Sequence, residues 1–344
     1  MEAPSRSGPL AGLTVVEMAG IGPCPLAGML LADLGATVTV IERPGGQVLD
    51  TGTALDRGKQ RACLDLKTAE GLAEARRLIE AADAVIEGFR PGVMERLGLG
   101  PAMFEASHPR LVYGRVTGWG QTGPLAQTAG HDINYVALTG VLSAATRAGV
   151  APSIPATLIG DMGGGTMFLA FGLMCALWEA QRSGRGQVVD AAMVDGVGVL
   201  SSLLHSLRAA GRWSDEPAQN FFLHSSPFYD CFECADGRFV SLGALEPQFY
   251  AELLQRLELA DVDPAAQLEH RQWPALRERV AARIREKTRD EWTALLEGTN
   301  VCFAPVLSLA EAPLHAHAQA RNSFVQDAQG HWQPAVAPRF SRSR

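Results

Sequence analysis

The sequence of 344 residues contains no apolar run near the ~20 residues that a bilayer crossing needs. Its most apolar stretch, 167–178, is about 12 residues and reads as a buried helix, so no membrane span is expected. The opening MEAPSRSGPLAGL lacks a charged region followed by a long apolar one; no secretory signal is read, and a cytoplasmic location is expected. Cysteine is scarce, six in all, and only Cys231 and Cys234 stand close together. With no second CxxC and no histidine nearby, the pair excludes a disulfide framework and a zinc knuckle, leaving structural thiols. Seven of the eight histidines, at 108, 205, 224, 270, 315, 317 and 331, show no metal-ligand spacing, so no metal is expected. An excess of positive charge is also missing. A net charge of -7 argues against a broad nucleic-acid surface and leaves room only for a local basic pocket. Internal repeats and low-complexity tracts are absent.

What is present is ordinary globular composition, 47% hydrophobic and 19% charged, enough for a large domain and a smaller one. Short apolar runs at 13–18, 36–41, 84–86 and 111–116 alternate with helical patterns at 24–34 and 68–80, the βαβ signature of a parallel, doubly wound sheet. Gly20-Ile21-Gly22 follows the first strand and Glu42 lies about 20 residues on, as in a dinucleotide fingerprint, but Pro25 stands where the third glycine belongs. A nicotinamide or flavin site is therefore disfavoured. A helix is read over 163–181 with a stop at Gly184, another over 193–210, then a crossing stretch to 227. A hairpin over 228–242 turns at Asp236-Gly237, and helices at 247–257, 272–287 and 289–297 complete a small α+β unit.

Three stretches put a titratable group beside glycines that would let a ligand approach the backbone: Gly130-His131-Asp132-Ile133-Asn134-Tyr135, Gly160-Asp161-Met162-Gly163-Gly164-Gly165 and Gly243-Ala244-Leu245-Glu246-Pro247-Gln248. Taken alone, His131 reads as a helix cap and Asp161 as an N-cap for the helix behind it. Met162, Met167 and Met193 read as core, with an acyl-binding surface as the alternative. Together with Trp119-Gly120-Gln121-Thr122-Gly123-Pro124, Glu87-Gly88-Phe89-Arg90-Pro91-Gly92-Val93, Leu64-Asp65-Leu66-Lys67 and Gly186-Gln187-Val188-Val189-Asp190, in this order along the chain, they resemble the family III CoA-transferases (CaiB/BaiF-like). Within that family the chain is similar to the α-methylacyl-CoA racemase branch.

The resemblance implies a large Rossmann-like domain (1–192, with 312–344 returning to it), a crossing helix and linker (193–227), a small α+β domain (228–311) and an interlocked homodimer. It implies an acyl-CoA thioester as substrate, CoA being part of that substrate and no separate cofactor being required. Transferases of the family use the aspartate matching Asp161 as a nucleophile that forms an acyl anhydride; racemases use it as a base. His131 favours the racemase, because transferases of the family usually lack a histidine there. Racemisation takes a proton from one face of the α-carbon and returns one to the other, so two proton carriers working near neutrality suit it. The resemblance places Glu246 beside His131, orienting the ring, and assigns His131 to the S-epimer and Asp161 to the R-epimer. The backbone N–H of Asp132 is the expected donor to the enolate oxygen. The residues matching the family's CoA contacts are Arg43, Leu64, Asp65, Leu66, Lys67, Gly88, Phe89, Arg90, Arg96, Gly130, Asp132, Ile133, Asn134 and Tyr135. A transferase and a CoA-binding protein without catalysis are the alternatives to a racemase.

Overall fold

The computed structural model describes residues 7–46, 53–147, 149–216, 219–222 and 225–343. His224 and parts of the expected 1–192 and 193–227 segments lie outside the described residues. The chain divides into two compact units, residues 1–141, 154–202 and 323–344 forming the first and 142–153 with 203–322 the second.

The first unit is built on six strands: β1 (Thr14–Met18), β2 (Thr37–Glu42), β3 (Gln60–Cys63), β4 (Ala84–Glu87), β5 (Val112–Thr117) and β6 (Val188–Ala192). All pair in parallel, in the order β3-β2-β1-β4-β5-β6, the doubly wound arrangement read from the alternating pattern. Side chains on a strand alternate faces, and both faces are covered. Val15, Ala84, Ile86 and Val112 pack into one core, Val16, Val85 and Tyr113 into another. Helices α1 (Pro23–Asp33) and α2 (Ala69–Glu80) connect the first strands. Thr68 caps α2 by accepting the Gly71 N–H at 3.0 Å, and Ala75 and Ile79 bury its apolar stripe.

Then come the short α3 (Val93–Arg96), α4 (Asp132–Leu138) and α5 (Val141–Ala144). α4 and α5 are separated at Gly140, whose φ of 83° belongs to the left-handed region. A π-helical segment, Leu158–Thr166, runs directly into α6 (Met167–Ser183). Leu158–Ser183 is thus 26 residues of continuous helix, long and apolar enough by length and composition to cross a membrane, where the sequence offered about 12 apolar residues. Its inner face is a core face. Leu169, Leu173, Ala176 and Ala180 are buried, and a Cβ on Gly114 of β5 would lie 2.7 Å from Leu169 Cδ1. The helix expected over 193–210 divides into α7 (Met193–Leu200) and α8 (Ser202–Ala209) at Ser201, whose hydroxyl donates to the Gly198 carbonyl at 2.7 Å.

The second unit pairs β7 (Tyr229–Glu233) with β8 (Phe239–Gly243) around Gly237, φ 72°, and adds β9 (Phe303–Pro305) antiparallel to β8. Helices α9 (Pro247–Arg256), α10 (Trp273–Ile284) and α11 (Arg289–Leu296) share a core with this sheet, centred on Phe228, Tyr250, Trp273 and Trp292. The C-terminal hairpin β10 (Phe324–Gln326) and β11 (Trp332–Pro334) belongs to the first unit, where Arg57 pairs with Asp33 and reaches the Pro334 carbonyl.

Candidate active site

In an open parallel sheet the ligand crevice lies beyond the carboxyl ends of the strands, where the winding direction reverses. Here that point falls between β1 and β4. A cleft of about 360 Å³ opens there, lined by residues following β1 (Gly22, Pro23), β4 (Gly88 to Pro91), β5 (Gly118, Trp119) and β6 (Met193), together with His131 and Asp161.

At the start of α1, Gly22 has φ 74° and Pro23 takes the first helical position, which needs no N–H donor. Pro25 thus sits in the first turn. The close helix-to-strand approach that a dinucleotide fingerprint assigns to its third glycine falls to Gly28: a Cβ there would lie 1.8 Å from Glu17 Oε2. Glu17 faces Lys59 Nζ at 2.7 Å, and their side chains are only 2% and 1% exposed. Lys59 also donates to the Pro25 carbonyl at 2.8 Å, tying the first turn of α1 to this buried pair. On the cleft side, a Cβ on Gly22 would lie 3.4 Å from Asp161 Oδ2, so α1 approaches the carboxylate closely.

Asp161 does not cap a helix. It lies inside the π-helical segment, which Thr157 enters with φ 60°. A β-branched residue adopts that left-handed conformation at a cost of ~1–3 kcal/mol, and π turns cluster at functional sites. The neighbouring glycines make room for packing. Side chains at 160, 164 and 165 would meet Asp132 Oδ1 at 2.7 Å, Val197 Cγ2 at 2.7 Å and Pro23 Cβ at 3.0 Å. Burial, then the negative charge of Asp132, pushes the Asp161 carboxyl from 3.8 up to about 6, with His131 pulling the other way.

His131 occupies the N-cap position of α4; its backbone N–H donates to Asn134 Oδ1 at 3.0 Å and its carbonyl accepts the Asn134 N–H at 2.8 Å. The imidazole makes no cap bond and lines the cleft instead. Asn134 is therefore engaged in capping. Tyr135 forms a wall: its hydroxyl donates to the Gly130 carbonyl, and its ring meets Trp119 edge-on at 4.8 Å.

The structure brings Gly88, Phe89, Arg90, Gly130, His131, Tyr135 and Asp161 together around one cleft. Met193 is buried in the core, as read, and also lines the cleft, whereas Met167 is exposed, so the core reading holds for Met193 and not for Met167. Arg43 and Leu64 to Lys67 follow β2 and β3 from the same carboxyl edge but do not line the cleft. Arg43 is exposed, with Nε 3.4 Å from the Gly46 carbonyl. Leu64 and Leu66 turn into the core, while Asp65 accepts the Lys67 N–H at 3.0 Å. Arg96 ends α3 and Ile133 lies on α4; both are exposed. Glu246 belongs to the second unit, exposed at the N-terminus of α9, where its carbonyl accepts the Phe249 and Tyr250 N–H groups. Among the described residues no group of three or more His, Cys, Asp or Glu side chains could hold a metal ion.

One residue was missed as a site component. Glu87, the last residue of β4, accepts the Phe89 N–H at 2.7 Å and so shapes the Gly88 to Pro91 loop. Burial raises its carboxyl to about 7, against the pull of that N–H and of Arg115, whose Nε is 3.3 Å away. The available signal was a charge closing an otherwise apolar strand.

Residues 10–344 match CoA-transferase family III. The chain is 43% identical over 335 residues to the mouse alpha-methylacyl-CoA racemase (97% of this chain, 87% of the relative). It is 41% identical over 329 residues to the human one (96% and 86%). Among solved structures, a CAIB/BAIF family protein from Brucella suis superposes with TM-score 0.81 at 27% identity, covering 98% of this chain and 94% of that one. A match over nearly the whole sequence, with a shared fold and a cleft at the family's motifs, establishes that the chain belongs to CoA-transferase family III.

Proposed function

We propose that this protein interconverts the (2R)- and (2S)-epimers of a 2-methylacyl-CoA by removing and returning the proton beside the thioester carbonyl. The observation that carries this reading is the presence in one cleft of two proton carriers, His131 and Asp161, the latter raised to about 6. The likeness to mouse and human proteins named alpha-methylacyl-CoA racemase supports it. An aspartate at its usual 3.8 would be a weak base, whereas one near 6 removes protons more effectively and stays largely ionised at neutral pH.

In this mechanism one of the pair takes the α-proton, the electron pair moves into the thioester carbonyl to give an enolate, and the other returns a proton to the opposite face. The N–H of Asp132, in the first turn of α4, is the assigned donor to the enolate oxygen. Arg90 at the cleft, with Arg43, Lys67 and Arg96, is assigned to the CoA phosphates, and the Gly88 to Phe89 backbone to the pantetheine arm. Glu246 is assigned to orient His131 within a homodimer. Incubating each pure epimer in heavy water tests the function: both must take up deuterium at the α-carbon and converge on a near-equal mixture. Exchange of neither epimer refutes it.

A further inference from the structure

Asp132 directly follows His131, and its carboxylate is not used to cap its own helix. A single oxygen, Oδ1, accepts the backbone N–H groups of both Gly160 and Asp161, each at 2.7 Å. The side chain therefore joins the start of α4 to the π-helical segment across 29 residues of sequence, from a position only 7% exposed. The bonds are charge-assisted, which makes them short and strong. Gly160 is shaped to receive them. A Cβ there would lie 2.7 Å from Oδ1 and 3.0 Å from the Asp132 carbonyl oxygen, so any side chain would force the carboxylate away.

We propose that Asp132 is a positioning residue: its carboxylate clamps the backbone of Asp161 to the residue beside His131 and so sets the two proton carriers in one frame across the α-carbon. The proposal rests on the two-base reading above and adds a role to a residue otherwise assigned only a backbone contact. Its charge has a second consequence, because the ionisable groups acting on Asp161 are Asp132 and His131, and Asp161 in turn acts on the Tyr135 hydroxyl. The two effects separate chemically. Asp132→Asn retains an oxygen for both N–H groups but removes the charge, whereas Asp132→Ala removes both.

The experiment follows α-proton exchange of each pure epimer of one 2-methylacyl-CoA in heavy water, from pH 5 to 9, for the full-length wild type, Asp132→Asn, Asp132→Ala and Gly160→Ala. In Asp132→Asn the midpoint for the Asp161-dependent epimer should move down by about one pH unit, with a smaller change for the other epimer. Asp132→Ala and Gly160→Ala should lower kcat for both epimers by about 10- to 100-fold while KM changes far less, since displacements near 1 Å cost that much in rate. Rates within about twofold of wild type for Asp132→Ala, or an unmoved midpoint in Asp132→Asn, overturn the proposal. Should Asp132→Ala fail to fold by circular dichroism, the other two variants decide. If the wild type exchanges neither epimer, the racemase reading fails. The clamp is then judged alone, by amide hydrogen exchange at Gly160 and Asp161 in wild type, Asp132→Asn and Asp132→Ala: protection kept in Asp132→Asn and lost by at least tenfold in Asp132→Ala supports it, and protection unchanged in Asp132→Ala overturns it.

Discussion

Replacing Lys59 by Met should destabilise the first unit in a manner that grows with pH. Lys59 and Glu17 face each other at 2.7 Å, nearly without solvent, and Glu17 titrates at about 7 against an ordinary 4.5 because burial outweighs the attraction of Lys59. A carboxyl raised on folding is protonated in both states below about 4.5. Its contribution to stability is fully present there and is lost as pH climbs through 7. The gap from 4.5 to about 7 corresponds to a loss of ~3 kcal/mol, after which this group's effect levels off. Without Lys59 the carboxylate keeps its burial and loses its counter-charge, so it titrates higher still. The decline then continues beyond pH 7 at ~1.4 kcal/mol per pH unit. The deficit of Lys59→Met should therefore be ~1–2 kcal/mol near pH 5.5, from the lost bond to the Pro25 carbonyl, and ~3–5 kcal/mol near pH 8.5, where the folded variant must hold Glu17 protonated while the unfolded chain ionises it. Urea unfolding at both pH values, with peptide-mapped labelling of the buried Cys24 to report on the first unit, measures it. A deficit independent of pH would show that Glu17 is not the titrating group and refute the reasoning.

His131→Ala should abolish proton abstraction from one epimer, the S-epimer on the family assignment, and Asp161→Ala from the other, each by ~10²–10⁴-fold; equal slowing of both epimers by His131→Ala, with fold and CoA affinity intact, would return His131 to a binding role. Incubation with acyl-CoA and hydroxylamine should leave Asp161 free of hydroxamate, whereas an adduct with loss of activity would mark an acyl anhydride and the transferase reading. Glu246→Ala should slow the His131-dependent epimer more than the Asp161-dependent one in the same exchange assay. Light scattering should give a homodimer, and a folded, active monomer at low concentration would contradict that assignment.

The parallel sheet was legible because its strands are apolar on both faces and their helices carry the 3.6-residue period, so Ala84, Val85 and Ile86 announce a buried strand without help from tertiary context. The carboxyl-edge position of Gly88 to Arg90 follows from the same reading. What stayed hidden depends on geometry without a distinctive pattern. The π turn at 158–166 is spelled with glycines that read equally as ligand approach, as helix entry or, as it proved, as room for Asp132, Val197 and Pro23. Asp161 looked like an N-cap because a short polar residue ahead of an apolar helix is the ordinary cap signal, and nothing in the pattern marks the π turn that runs into α6. Gly28 gave no signal, since the carboxylate it accommodates comes from β1, 11 residues earlier.

The distinction between a nucleophilic and a proton-carrying aspartate turns on what faces it, not on the residue itself. The two epimers are of nearly equal energy, so each half-reaction must be able to start the cycle, and the two carriers need similar proton affinity. Histidine side chains ordinarily work near neutrality, and aspartates do not. The cleft closes that difference from the aspartate's side: burial does most of the work, Asp132 adds like charge, and His131 limits the rise, bringing Asp161 to about 6. The same carboxylate that supplies the like charge also holds the Asp161 backbone. Position and proton affinity are thus governed by one side chain, and no adjustment of Asp132 can alter either alone unless, as in Asp132→Asn, shape is kept while charge is removed.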